Sequence, residues 1–282
     1  LMTAMSVAYY LCYRRARGEV RPVQAWCFGM GIAVWALATL SVVGAYAPVL
    51  FWVRALQVVL LLYLAPFLLA LGRPVATVRA AVSEPARERI DLVMGSRVAR
   101  VLFSPPVTSV LMLATPWLLY LTRWYVASMV SDALGEVTRL LLLLIGFSYF
   151  YTRLQCDPVP RRYTPLLSIG VSVAEGLGDG LLGLVLWLGP VIAYDYYAGL
   201  GRGWGPSVRD DQTLGAGILW ILGDVIGIPF VVMLMRALGS HERTHAAEVD
   251  AAQDALEEEQ VETGPARLWW ESDPQIRDRF HR

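Results

Sequence analysis

PLLSIGVSVAEGLGDGLLGLVLWLGPVIAY, residues 165–194, is thirty residues of nearly unbroken apolar sequence carrying two acids, Glu175 and Asp179. A bilayer core takes about 20 apolar residues of helix, so this stretch is long enough to cross one. An uncompensated carboxylate at that depth costs several kcal/mol, so the acids are expected to face a protein interior and have partners. Working outward, further apolar runs lie at roughly 1–13, 24–46, 49–71, 101–122, 134–151 and 213–237. The last holds a third acid, Asp224, within Gly223-Asp224-Val225-Ile226-Gly227-Ile228-Pro229. The expected fold is an all-α, polytopic membrane bundle of about seven transmembrane helices over 1–238, followed by a charged, partly helical tail over 239–282. The first run is too short to span. The chain opens at Leu1 rather than Met, so residues upstream are expected to be missing, and no small-residue signal-peptide cleavage site is present.

Of the 282 residues 56% are hydrophobic, too many and in runs too long for an ordinary soluble domain. All 24 basic residues are Arg, and the chain has no Lys and no Asn. Schiff-base chemistry with retinal or pyridoxal, and a phosphate-binding lysine, are thereby excluded. Seven helices without Lys cannot be a rhodopsin. Cys12, Cys27 and Cys156 are scattered, which does not indicate a disulfide framework. There is no nucleophile–base arrangement, no glycine-rich nucleotide loop and no CxxC pair. An enzyme is not expected, and neither is a nucleic-acid partner.

Charge sets the orientation. Arg14, Arg15, Arg17 and Arg21 follow the first run; Arg73, Arg79, Arg87, Arg89, Arg97 and Arg100 follow the third; Arg153, Arg161 and Arg162 follow the fifth. The alternating loops at 47–50, 123–137 and 195–212 are poorer in Arg. The positive-inside rule then puts the N-terminus outside and the C-terminal tail in the cytoplasm of a bacterial plasma membrane. The 73–100 segment, with Val75, Val78, Val82, Ile90 and Val93 among charges, reads as an amphipathic surface segment. The aromatic, Gly-rich 195–212 loop reads as an interfacial cap.

Glu175 and Asp179 are spaced i, i+4 and share one helix face. Their interleaved glycines allow close approach of a neighbour or mark a local break. With Asp224, and with Arg54 turned inward, they make a candidate intramembrane polar cluster: a cation, metal or proton site, or structural acids locking two helices. Arg54 could equally snorkel to an interface. Crowding would raise the pKa of at least one of the three carboxylates, so not all three need be ionised. Cys27 and Met30, at i, i+3, are candidate soft ligands for Cu(I), though methionine in a membrane helix is usually packing. His241 and His245, i, i+4 on the tail, have no third ligand in view.

Several blocks resemble, in order along the chain, the CtaG-type cytochrome c oxidase assembly factors. Arg54-Ala55-Leu56-Gln57-Val58 leads to Ala65-Pro66 and Gly72-Arg73-Pro74, similar to that family's helix ending in Ala-Pro and Gly-x-Pro. Asp157-Pro158-Val159-Pro160-Arg161 resembles its Asp-Pro-x-Pro-Arg loop. Asp211-Gln212 with Gly215 and Trp220 resembles the start of its last helix, and Trp269-Trp270-Glu271-Ser272-Asp273-Pro274 an ending of actinobacterial members. The resemblance implies a multi-helix membrane protein concerned with copper delivery to the oxidase, with oxidase subunits as partners. It also implies a His-x-x-x-His pair on the third helix, where this chain has Arg54 and Val58, and a histidine on the sixth, aligned with Glu175. Arg has no lone pair to give a metal and Val offers nothing. The expectation is therefore a scaffold or partner-binding role in oxidase biogenesis without copper bound in the family's manner. The alternatives are ion or metal translocation through the carboxylates, or an accessory subunit of another membrane complex.

Overall fold

The computed structural model describes residues 1–235 except Arg17, Glu19, 155–164 and Leu234, and for 165–175 and Asp179 it describes the helix but not the side chains. Cys156, the Asp157-Pro158 loop, both tail histidines and the whole 239–282 tail thus lie outside the described residues.

Every element among the described residues is helical. In chain order they are α1 (Met2–Arg15), α2 (Pro22–Leu40), α3 (Val42–Tyr46), α4 (Phe51–Val59), α5 (Ala65–Leu71), α6 (Pro74–Ala81), α7 (Glu84–Met94), α8 (Arg97–Leu102), α9 (Pro105–Leu121), α10 (Trp124–Val130), α11 (Asp132–Leu154), α12 (Pro165–Leu188), α13 (Tyr194–Gly199) and α14 (Val208–Gly217). Four helical stretches are long and apolar enough to cross a membrane: Pro22–Tyr46, Phe51–Ala81, Asp132–Leu154 and Val208–Met233. The apolar run expected over 24–46 bends at Ser41, whose extended backbone separates α2 from α3 and whose hydroxyl caps the Val43 N–H. The run expected to reach Tyr194 stops at Leu188, and Ala193 takes a left-handed conformation before α13. The 73–100 segment is three short helices, α6 to α8.

The centre is the Phe51–Ala81 helix, 72% buried over its most apolar window, against 17% for Val208–Met233. Ala55, Val58, Val59, Leu61, Leu62 and Ala65 are fully enclosed there. Pro66 shapes this helix. It has no N–H to give the Leu62 carbonyl, and its ring crowds that turn. The helix widens into a π turn over Leu60–Leu64, with the Ala65 N–H reaching back to Leu60. Gly146 of α11 occupies the space against the freed carbonyl: a β-carbon there would stand 2.0 Å from the Leu62 oxygen and 2.6 Å from Pro66 Cγ. Gly31 of α2 also lies close against Leu69, where a β-carbon would stand 2.9 Å from the backbone nitrogen. At the elbow between α5 and α6, Tyr9 of α1 donates to the Gly72 carbonyl at 2.8 Å and stacks on Phe28 of α2, with ring centroids 3.8 Å apart.

The outer helix faces stay apolar. Val110, Leu118, Leu144, Leu181, Ile221 and Ile228 are among many large exposed hydrophobic residues. Such a surface suits hydrocarbon better than water.

Candidate functional site

A group of buried polar side chains gathers where α4 and α14 begin. Gly215 lets these helices meet: a β-carbon there would stand 2.4 Å from the Phe51 ring. Asp211, 1% exposed, accepts from the backbone N–H groups of Phe51 (3.1 Å) and Trp52 (2.9 Å), donors that the first turn of a helix leaves without intrahelical partners. Its Oδ2 also accepts from Arg202 Nη2 at 3.0 Å, a pair closed off from solvent. Next to it, Gln212 accepts from the Ile192 N–H and donates to the Leu186 and Pro190 carbonyls, which ties down the end of α12. Arg209 donates to the carbonyls of Trp187 and Gly189 on the same turn. Asp211 and Gln212, noticed in the sequence only through the family resemblance, thus hold three helix ends together.

One turn into α4 sits Arg54, 2% exposed. Its Nη1 donates to Gln57 Oε1 at 2.6 Å and its Nη2 to Ser128 Oγ at 3.0 Å. Gln57 passes the link on to the Ala38 carbonyl of α2, at 2.7 Å, and Ser128 to the Tyr125 carbonyl. Tyr125 and Tyr197 share a hydrogen bond of 2.7 Å between their hydroxyls. Burial pushes both phenols well above the ordinary tyrosine range, so they stand neutral beside the guanidinium. The rings of Tyr120, Tyr125 and Tyr197 surround Phe51 at 5.5, 5.6 and 6.3 Å. Among the described residues no carboxylate lies within ion-pair distance of Arg54.

Asp224 lies elsewhere. It is thirteen residues past Asp211 on a helix running parallel to α4, about 15 Å deeper than Arg54 at 1.5 Å per residue. It is exposed and lines an open cleft of about 450 Å³ with Tyr63, Met112, Tyr149, Gly176 and Phe230. Its Oδ1 is 3.8 Å from where a β-carbon on Gly176 would be, so it faces α12. The glycines of α12 serve close approach without breaking the helix: Gly178 admits Leu113 of α9, and Gly180 and Gly183 admit Trp220. The structure therefore brings Asp224 to α12 and does not bring Arg54 to Asp224. The side chains of Glu175 and Asp179 lie outside the described residues.

Among the described residues, the copper that the resemblance implies finds no fitting donors at the aligned third-helix positions. Arg54 and Val58 supply no lone pair, and Val58 is buried among apolar neighbours. Cys27 is partly buried and Met30 is half exposed on the outer face of α2. Among the described residues no three His, Cys, Asp or Glu side chains converge.

Sequence reasoning missed Ser128, Tyr125, Tyr197 and Arg202. Their sole signal was membership of the polar or aromatic loops 123–137 and 195–212.

Comparison with known proteins agrees with the motifs. An uncharacterized protein of Mycobacterium bovis is 29% identical over 261 residues, covering 86% of this chain and 39% of the relative. One of Mycobacterium leprae is 27% identical over 260 residues, covering 88% and 39%. The chain thus spans well under half the length of these relatives. No solved structure gives a significant match. The sequence profile of the cytochrome c oxidase caa3 assembly factors matches residues 7–239, from α1 through the last described helix, and the chain belongs to that family.

Proposed function

We propose that this protein acts as a non-catalytic membrane scaffold in the assembly of a respiratory oxidase, binding oxidase subunits rather than carrying copper itself. The observation that carries this reading is the state of Arg54. At the position aligned with the family's first histidine stands a guanidinium fully enclosed and engaged with Gln57 and Ser128. A group with no lone pair, tied into the packing of three helices, is a structural element rather than a metal ligand. The apolar helix faces support a multi-pass position in the plasma membrane, with about seven crossings, the N-terminus outside and the tail inside.

In that orientation the Asp211 end faces outward and offers contact residues. Tyr194 and Trp204 are more than half exposed beside the closed Arg202–Asp211 pair. The Arg-rich α6–α8 segment lies on the inner side, where anionic lipid or a partner would meet it. Affinity purification of the intact chain from membranes, with metal analysis of the same sample, tests the proposal. Oxidase subunits without stoichiometric copper are the expected result. About one equivalent of copper, lost in a Cys27→Ala/Met30→Ala variant, would overturn it.

A second reading is favoured by the Asp224 cleft alone: Asp224, with Glu175 and Asp179 on the facing helix, relaying a cation or proton. Flux in liposomes abolished by Asp224→Ala would establish it.

A further inference from the structure

The cleft beside Asp224, about 450 Å³, holds one carboxylate among aromatic, aliphatic and glycine residues. One of its walls is a stripe of the Val208–Met233 helix. Gly223, Gly227 and Val231 recur every four residues, and Asp224 and Ile228 lie beside them on the same face. Both glycines face open room: a β-carbon on either would meet nothing within 4 Å. On Gly178, Gly183 and Gly215 it would stand 2.5, 2.9 and 2.4 Å from a neighbour's side chain, because those glycines are already packed against another helix. Of the four candidate spans this helix is also the least covered, 17% of its most apolar window against 22, 44 and 72%. Small residues with room above them are how one membrane helix admits another.

Asp224 sets the chemistry of the occupant. It lies about 24 Å along the helix from Val208, within a hydrocarbon core about 30 Å thick. A carboxylate at that depth is costly unless a positive group matches it. Among the described residues its partner is the Trp220 indole N–H, a neutral donor, and no cation stands within ion-pair distance. We infer that the cleft docks one transmembrane helix of another protein, packed over Gly223 and Gly227 and presenting an arginine or lysine level with Asp224. A second copy of this chain does not supply that cation. The arginines on its own candidate spans are buried (Arg54, Arg153), paired with a carboxylate (Arg79, Arg139) or at a helix end (Arg73, Arg209). The docking rests on the cleft alone; that the helix belongs to an oxidase subunit rests on the scaffold reading.

The test is photo-crosslinking of the full chain in its membrane. Benzoylphenylalanine takes the place of Ile228, which is 61% exposed in the cleft lining, and the adduct is identified by mass spectrometry. The expected adduct is a membrane-spanning peptide of an oxidase subunit that contains an arginine or lysine. The same probe in place of Leu37, on the exposed face of α2, should not capture it. Asp224→Asn should lower the yield about tenfold. Gly227→Leu should abolish it, yet the purified variant should melt no lower, because the side chain has room and leucine favours a helix over glycine. Asp224→Lys should abolish the adduct, and changing the partner's cation to aspartate should restore it. Yields unchanged in Asp224→Asn and Gly227→Leu while oxidase subunits still co-purify would overturn the inference and leave the scaffold reading standing. The same cation-bearing, swap-rescued adduct on a protein outside the oxidase would support the docking site and overturn the scaffold reading. Adducts to lipid alone, or cation flux abolished by Asp224→Asn with the adduct intact, would overturn the inference.

Discussion

Of the aspartates in the Val208–Met233 stretch, Asp211 and Asp224 look alike on paper and live in opposite environments. Asp211, in its first turn, is 1% exposed, ion-paired and bonded to two backbone N–H groups. Asp224, deep in the apolar stretch, is exposed to an open cleft and faces the backbone of Gly176. Position within an apolar run is thus a poor guide to burial, because burial is decided by which neighbour covers the residue. The end that holds the bundle together is the one where Asp211 and Gln212 satisfy helix termini and Arg54 links Gln57 to Ser128. The acid in the middle of the apolar run is left accessible for chemistry or for a partner.

The sharpest way to break this contrast is Asp211→Ala. It strands Arg202 and uncaps Phe51 and Trp52, and should destabilise the protein by roughly 3–5 kcal/mol, read as a lowered denaturation midpoint. A loss below 1 kcal/mol would mean that the cap does not hold the helices. Gln212→Leu removes three hydrogen bonds at the end of α12 and leaves the Ile192 N–H unpaired. About 2–3 kcal/mol should be lost, with hydrogen exchange rising selectively around residues 186–192.

Alkaline titration probes the same end. Because burial raises Tyr125 and Tyr197 above the unfolded value, their contribution is complete below about pH 10 and is lost as pH climbs through their folded values. Stability should fall above about pH 10, and less steeply in Tyr125→Phe/Tyr197→Phe. A double-mutant cycle on those two hydroxyls should give a coupling of about 1 kcal/mol, and additive single effects would show that the 2.7 Å contact carries no energy. The smallest effect is expected from Asp224→Asn, within about 0.5 kcal/mol by thermal melt. A cost rivalling that of Asp211→Ala would erase the contrast between the two ends.

Much of this was legible beforehand for a stated reason. Long apolar runs dictate helices because a backbone in an apolar medium must bond to itself, and four stretches duly appear as long apolar helices. The glycine spacing in α12 pointed to close approach or a local break, and the helix runs on with Leu113 and Trp220 packed against it. The bend at Ser41 was not legible, since Val42–Tyr46 is as apolar as what precedes it. Nor was the partner of Arg54. Ser128 lies 74 residues away, in a segment whose composition resembles any polar loop.

By itself the chain determined that it is helical and apolar-faced, that lysine chemistry is excluded, and that it shares ordered motifs with oxidase assembly factors. All of these are local properties of composition and spacing. The tertiary structure alone decided which polar groups are enclosed, separated Arg54 from Asp224 along the bundle, and joined Asp211 and Gln212 to three helix ends. Those outcomes depend on which helices meet, and that is set by where Gly146, Gly215 and Pro66 permit two backbones to touch, at distances no one-dimensional pattern encodes.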